Sequence, residues 1–204
     1  MPANIIWGAV LLLTLGLTFV YPLGALLCFV LLLPFPTAGL FRLGALIQRG
    51  EPTHLSDALA WRSFARRALG AGLVIGGGTI VLGFNVLLGL NSLDAIAWAF
   101  ATAAFWGLII VWLAAAAIWP LLLDPLRASE PATALVRLGM TVILARPLPF
   151  LALSAALVIV LVLSTILFAA LVTISLAYVA LVLSAYVIPA ADRIEGRRTF
   201  VVTA

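Results

Sequence analysis

Long apolar runs alternate with short charged segments along this chain. Residues 1–41, 68–93, 95–123 and 147–191 contain no Asp, Glu or Arg. All eleven basic residues are Arg, and they fall in three short segments. Arg42, Arg49, Arg62, Arg66 and Arg67 form the first group, Arg127, Arg137 and Arg146 the second, and Arg193, Arg197 and Arg198 the third. The charge-free stretches are 41, 26, 29 and 45 residues long, and a helix needs about 20 apolar residues to cross a bilayer. The two middle stretches therefore hold one span each, and the last must hold two.

The first stretch has two readings. Residues 5–33 can form one long span, tilted and kinked at Pro22. They can also form a hairpin turning at Tyr21-Pro22-Leu23-Gly24, with Pro and Gly at favoured turn positions. The pattern predicts an all-α, polytopic transmembrane bundle forming a single membrane domain over residues 1–204. It has five spans, at about 5–33, 69–90, 95–119, 148–168 and 171–189, or six with the hairpin. Short inner interfacial helices are expected at about 37–48, 55–68 and 131–144. Pro34-Phe35-Pro36 is expected to end the first segment, and Gly50 followed by Pro52 to mark a helix end. Asp57 suits the first turn of the next helix. That helix can rest at headgroup level or continue directly into the second span. Asn91-Ser92-Leu93-Asp94 reads as a minimal outer loop. Trp98 and Trp119 lie where an aromatic belt would, while Trp106 and Trp112 read as packing residues. Pro189 is expected to close the last span, and the reversal before it falls near 168–173.

Confinement of Arg to alternate loops orients the chain, because cytoplasmic loops are the basic ones. The Arg-bearing loops and the C-terminal tail are expected in the cytoplasm. Composition agrees with a membrane location. The chain is 66% hydrophobic and 9% charged, with a mean hydropathy of +1.31, whereas soluble domains carry about 25% charged residues. The pI near 10.2 does not point to nucleic acid, since topology accounts for the Arg excess. Attraction of the loops to anionic lipid headgroups is the plainer consequence. Cys28, the single cysteine, cannot form an intrachain disulfide. Leu27 and the lack of early basic residues argue against a lipoprotein or cleavable signal, so the N-terminus is expected to be retained.

Catalytic chemistry is sparse. His54 is the single histidine and reads as a solvated loop residue. No phosphate-binding, metalloprotease or nucleophile-elbow motif occurs. No catalytic, cofactor-binding or metal site is expected, and the chain reads as a non-enzyme with no cofactor. Glu51, Asp57, Asp124, Glu130, Asp192 and Glu195 are expected in local ion pairs and helix caps. No Asp, Glu, His or Arg is expected inside a span, which argues against ion coupling within this chain. Candidate helix-packing residues are Gly72, Gly76, Gly77, Gly78 and Asn85. Gly72 and Gly76 form a G-x-x-x-G pair that admits a close neighbour. A flexible point lining a cavity is the alternative role for these glycines. Asn85 is expected to bond a neighbouring helix. Candidate partner- or lipid-docking residues are Arg42, Arg49, Arg62, Arg66, Arg67, Arg137 and Arg146.

Pro36–Gly44 and Pro131–Gly139 share Pro, Leu, Arg, Leu and Gly at matching positions. That echo suggests two span–inner helix–span units in parallel orientation. The first inner region also carries Pro36, Thr37, Ala38 and Leu40, then Arg49-Gly50-Glu51. Asp57 then opens a helix with Trp61, Arg62, Phe64, Arg66 and Arg67, and Arg146-Pro147-Leu148 precedes the fourth span. In these features the chain resembles the YesL-type family of small bacterial membrane proteins of unknown function. It departs from that family in its longer first segment, its fewer aromatics around Asp57 and its lack of Lys. The resemblance implies a multi-pass protein of the bacterial inner membrane, accessory to a carbohydrate-uptake system or another membrane complex, with an ABC-type permease as a possible partner. Two other readings stand beside it: a transporter or channel acting as a homo-oligomer, and a small structural or assembly subunit of a large membrane complex.

Overall fold

The computed structural model describes residues 2–167 and 174–197. The expected reversal near 168–173 and Arg198 lie outside them. Within the described residues the chain forms eight helices and no strand. They are α1 (Pro2–Val20), α2 (Pro22–Gln48), α3 (Leu55–Leu59), α4 (Trp61–Leu90), α5 (Ala95–Leu122), α6 (Ala132–Ala145), α7 (Pro147–Ile166) and α8 (Leu176–Ile194). Six of them, all but α3 and α6, are long and apolar enough to cross a membrane.

The first segment is a hairpin, not a kinked single span. The residue before a proline is pushed out of the α region. Tyr21 accordingly sits at φ −145° and ψ 79°, and Pro22 opens α2 as its first residue. The ring of Tyr21 lies over the bare backbone of Gly24, where a Cβ would come within 2.2 Å of it. The return leg is fixed by Trp7, whose Nε1 donates to Thr37 Oγ1 at 3.1 Å. The buried Asn4 reaches further, its Oδ1 accepting from the Ala177 backbone N–H at the start of α8.

Several expected helix ends are not ends. Pro34 and Pro36 do not stop α2, because a wide π turn over Cys28–Leu32 precedes them. In that turn the Leu33 N–H reaches back five residues to the Cys28 carbonyl. The shifted register lets Pro34 restart the helix, where its missing N–H is no loss. The segment 37–48 is therefore the lower part of α2 and not a separate inner helix. The chain breaks at Ala60 and then runs unbroken from Trp61 to Leu90, so the headgroup helix and the second span are one element. Pro120 and Pro189 lie inside α5 and α8 near their C-terminal ends. At that position a proline removes a single helix bond, and both helices run on past it.

The wide turns of α2 and α4 face each other. Gly72–Gly76 forms the second π turn, and it rests on Val30 and Pro34 of α2. A Cβ at Gly72 would lie 2.2 Å from Pro34 Cγ and 2.7 Å from the Val30 carbonyl oxygen, and one at Gly76 would lie 3.5 Å from Val30 Cα. Gly77 and Gly78 differ: nothing lies within 4 Å of their Cβ positions. Gly44 of α2 and Gly139 of α6 also mark close crossings, against Ser184 and Ala180 of α8 and against Ile118 and Ala117 of α5. The echoed segments thus share a glycine contact but not an architecture. The first is the end of a long helix; the second is the separate helix α6.

The core lies towards the Arg-bearing end. There Phe41 stacks on Trp119, with ring centroids 6.0 Å apart. Trp119 is therefore a core residue and not part of a belt, whereas Trp106 and Trp112 are more than half exposed. Gly72→Ala should lower stability by about 1–3 kcal/mol through overpacking against Pro34. Gly77→Ala, facing open space, should be neutral or stabilising by up to about 1 kcal/mol. Thermal unfolding in detergent measures both, and equal losses would contradict the contact.

Candidate functional site

Helix ends build the main polar site. Helix α2 stops at Arg49, and Gly50 follows at φ +71°. Glycine takes that left-handed conformation without strain. It lets the Gly50 N–H donate to the Ile47 carbonyl and the Glu51 N–H to the Leu46 carbonyl, the Schellman pattern of a capped helix. Helix α8 ends the same way. Gly196 sits at φ +68°, its N–H donates to the Arg193 carbonyl, and the Arg197 N–H donates to that of Asp192. Between them, α5 ends at Leu122 and the chain enters a short 3₁₀ turn over Pro125–Arg127. Asp124 caps this turn, its Oδ1 accepting from the Leu126 N–H at 3.2 Å.

These three ends bring four buried charges together. The Arg49 guanidinium pairs with Asp124 at 2.5 Å and with Asp192 at 2.6 Å. Arg127 is fully buried and pairs with Asp124, with Asp192 at 2.7 Å and with Glu195 at 2.6 Å. Arg197 closes the outer edge on Glu130 and Glu195. Burial acts to lower the pKa of Arg49. Hydrogen bonds to Asp124 and Asp192, and their negative charge, outweigh it and hold the guanidinium above its ordinary value. Arg127 is raised in the same way, by Asp192, Glu195 and Asp124 against its own desolvation. Both stay cationic at any physiological pH.

Two further arginines cap α5. Arg67 of α4 donates to the carbonyl oxygens of Leu122, Arg127, Ala128 and Glu130 at 2.7–3.1 Å. Arg42 of α2 donates to that of Leu123 at 3.1 Å. A helix C-terminus leaves carbonyls unpaired and carries partial negative charge, so both arginines are well placed there.

The candidate docking residues thus divide. Arg42, Arg49 and Arg67 spend their donors inside the protein. Arg62, Arg66, Arg137 and Arg146 are exposed. Ion pairing is mostly between segments distant in sequence, not local as expected. Local capping does occur at Asp57, which accepts from the His54 N–H at 2.7 Å, and at Asp94, which accepts from that of Ile96. One sequence signal for the network was available. Asp124 and Arg127, like Asp192 and Glu195, are three residues apart at the end of an apolar run.

A large apolar cavity lies above the network. Its volume is about 700 Å³, and its walls include Phe41, Gly76, Trp112, Trp119, Leu157 and Leu183. Among the described residues no charged side chain lines it. The Thr79 hydroxyl is turned onto its own helix, donating to the Ile75 carbonyl at 2.7 Å. The Ser154 hydroxyl is buried without a partner. Asn85 is elsewhere: it is exposed, and its side-chain amide donates to Val81 on its own helix at 2.8 Å. Of the candidate packing set, Gly72 and Gly76 line the cavity. Such walls admit an apolar molecule but offer nothing to an ion. Among the described residues no three His, Cys, Asp or Glu side chains could hold a metal.

Fold and site together define a multi-pass, all-helical membrane protein whose ion pairs, among the described residues, gather at one end. No family model, curated protein or solved structure matches the chain.

Breaking one member of a buried ion network leaves its partner's charge uncompensated, at about 3–5 kcal/mol. Asp124→Asn should therefore cost about that much, while Glu130→Gln, paired with the more exposed Arg197, should cost no more than about 1 kcal/mol. Unfolding of the two variants in detergent checks the contrast.

Proposed function

We propose that this chain is a non-enzymatic accessory component of a bacterial inner-membrane complex, with its Arg-bearing end in the cytoplasm. One observation carries the reading. After the internal network has taken Arg42, Arg49, Arg67 and Arg127, the guanidiniums of Arg62 and Arg66 remain exposed beside Trp61, Leu55 and Leu59, each of which is about 40% exposed. Arg and Trp are the side chains most enriched among interface residues that dominate binding energy. A helix start carrying both, next to apolar side chains, suits a protein partner better than water. The resemblance to the YesL-type family adds a class of partner, a carbohydrate-uptake permease of the ABC type.

A second reading, a transporter acting as an oligomer, has two observations on its side. One is the cavity. The other is the open face at Gly77, Gly78 and Gly83, which would let another helix approach closely. The apolar cavity walls weigh against a polar solute or ion. The docking reading is tested by placing a photo-crosslinking amino acid at Trp61 or Arg62 in intact bacterial membranes. Capture of a permease subunit is the expected result. Capture of nothing but further copies of this chain, with solute flux through the purified protein in liposomes, would replace it with the second reading.

A further inference from the structure

A second, smaller pocket of about 180 Å³ opens between the end of α6, the start of α7 and the last turns of α8. Arg146, Arg193 and Tyr186 line it, over a floor of Val142, Ala145, Ala190 and Ile194. We propose that this pocket binds the phosphate of an anionic membrane phospholipid. The site is distinct from the docking surface at Trp61 and does not depend on that reading.

Three features of the pocket point to phosphate. First, its lining includes two arginines and no carboxylate. Neither Arg146 nor Arg193 forms a salt bridge among the described residues. Arg193 uses its Nε, donating to the Pro189 carbonyl at 3.1 Å, and among the described residues its terminal nitrogens have no partner. Guanidiniums match phosphate oxygens in charge and in their planar fork of donors. Second, the Tyr186 hydroxyl is buried and has no hydrogen-bond partner. A buried hydroxyl normally finds one, and a small ring shift that opens this hydroxyl to the pocket would let a bound oxygen supply it. The ring is held from behind by Phe150, with centroids 6.1 Å apart. Third, the pocket lies at the Arg-bearing ends of its helices, where spans meet headgroups.

The surroundings favour a lipid over a soluble anion. Leu144 and Leu148 flank Arg146 in the chain and are 74% and 77% exposed. Two leucines this bare beside a cationic pocket suit contact with acyl chains, not with water. Basic pockets between membrane helices are known to take lipid headgroups in this way. The phosphate would sit between Arg146, Arg193 and the Tyr186 hydroxyl, with the chains running along Leu144 and Leu148.

The test uses the full chain in detergent with equal phosphatidylglycerol and phosphatidylcholine, read by native mass spectrometry. Phosphatidylglycerol should be retained over phosphatidylcholine by about tenfold or more. R146Q/R193Q should abolish that preference, and Y186F should weaken it several-fold. Both arginines are exposed and Y186F removes a single oxygen, so the fold should survive, which thermal unfolding checks. R62Q/R66Q removes the same charge elsewhere and should leave the preference intact. An equal loss in R62Q/R66Q, or an unchanged preference in R146Q/R193Q, would overturn the site. Displacement of the lipid by millimolar inorganic phosphate would mark a soluble-anion site and overturn the lipid assignment.

Discussion

Two arginines and two aspartates, closed on one another at the Arg-bearing end, set the geometry on which the rest depends. Arg49 comes from the end of α2, Asp124 and Arg127 from the turn after α5, and Asp192 from α8. Helices in lipid gain little from hydrophobic attraction to each other, because acyl chains are as apolar as Leu. Something else must choose their partners and register. A buried, charge-balanced network adds little net stability over apolar packing. Its value here is selective: this arrangement of α2, α5 and α8 satisfies all four charges. Alternative registers would leave a guanidinium or carboxylate buried and unpaired.

That lock explains how the other features are placed. With the three ends tied, Arg67 and Arg42 reach the carbonyls of α5, which fixes α4 beside it. The glycine crossings then bring the helices together, at Gly72 and Gly76 against α2 and at Gly44 against α8. Helix α7 has no charge in the network, and among its described side chains only Phe150 and Leu157 are buried. It stands off from the bundle, and the large cavity lies between it and the rest. Rigid charged end and open apolar interior are thus two consequences of one distribution of charge. The arginines left outside the lock are the ones available for contacts with lipid and partner.

Much of the architecture could be read from the sequence, because charge exclusion from a bilayer is a strong constraint. The charge-free runs located the spans, and the hairpin was one of two readings of the first run. The G-x-x-x-G pair at Gly72 and Gly76 sits at a close helix crossing. Proline misled at Pro34, Pro36, Pro120 and Pro189: a wide turn absorbs the missing N–H at the first two, and near a C-terminal end a proline costs one helix bond without ending the helix. The network is not legible in the pattern because most of its pairs join residues 65 to 143 apart. A sequence shows which segments carry opposite charges but not which helix ends meet. Arg42, Arg49 and Arg67 read as surface residues for the same reason, since composition cannot tell a solvated guanidinium from one turned onto a carbonyl or carboxylate. The Tyr186 pocket left no trace in the pattern, because it forms from three elements, two of them far apart in the chain.

A double-mutant cycle on Arg49→Gln and Asp192→Asn tests the lock most directly, with unfolding free energies of the single and double variants measured in the same detergent. If the two side chains are joined as described, the double variant should be less damaged than the sum of the singles, with a coupling energy of about 1–3 kcal/mol. Effects that simply add, to within about 0.5 kcal/mol, would mean that the two helix ends do not meet through these charges.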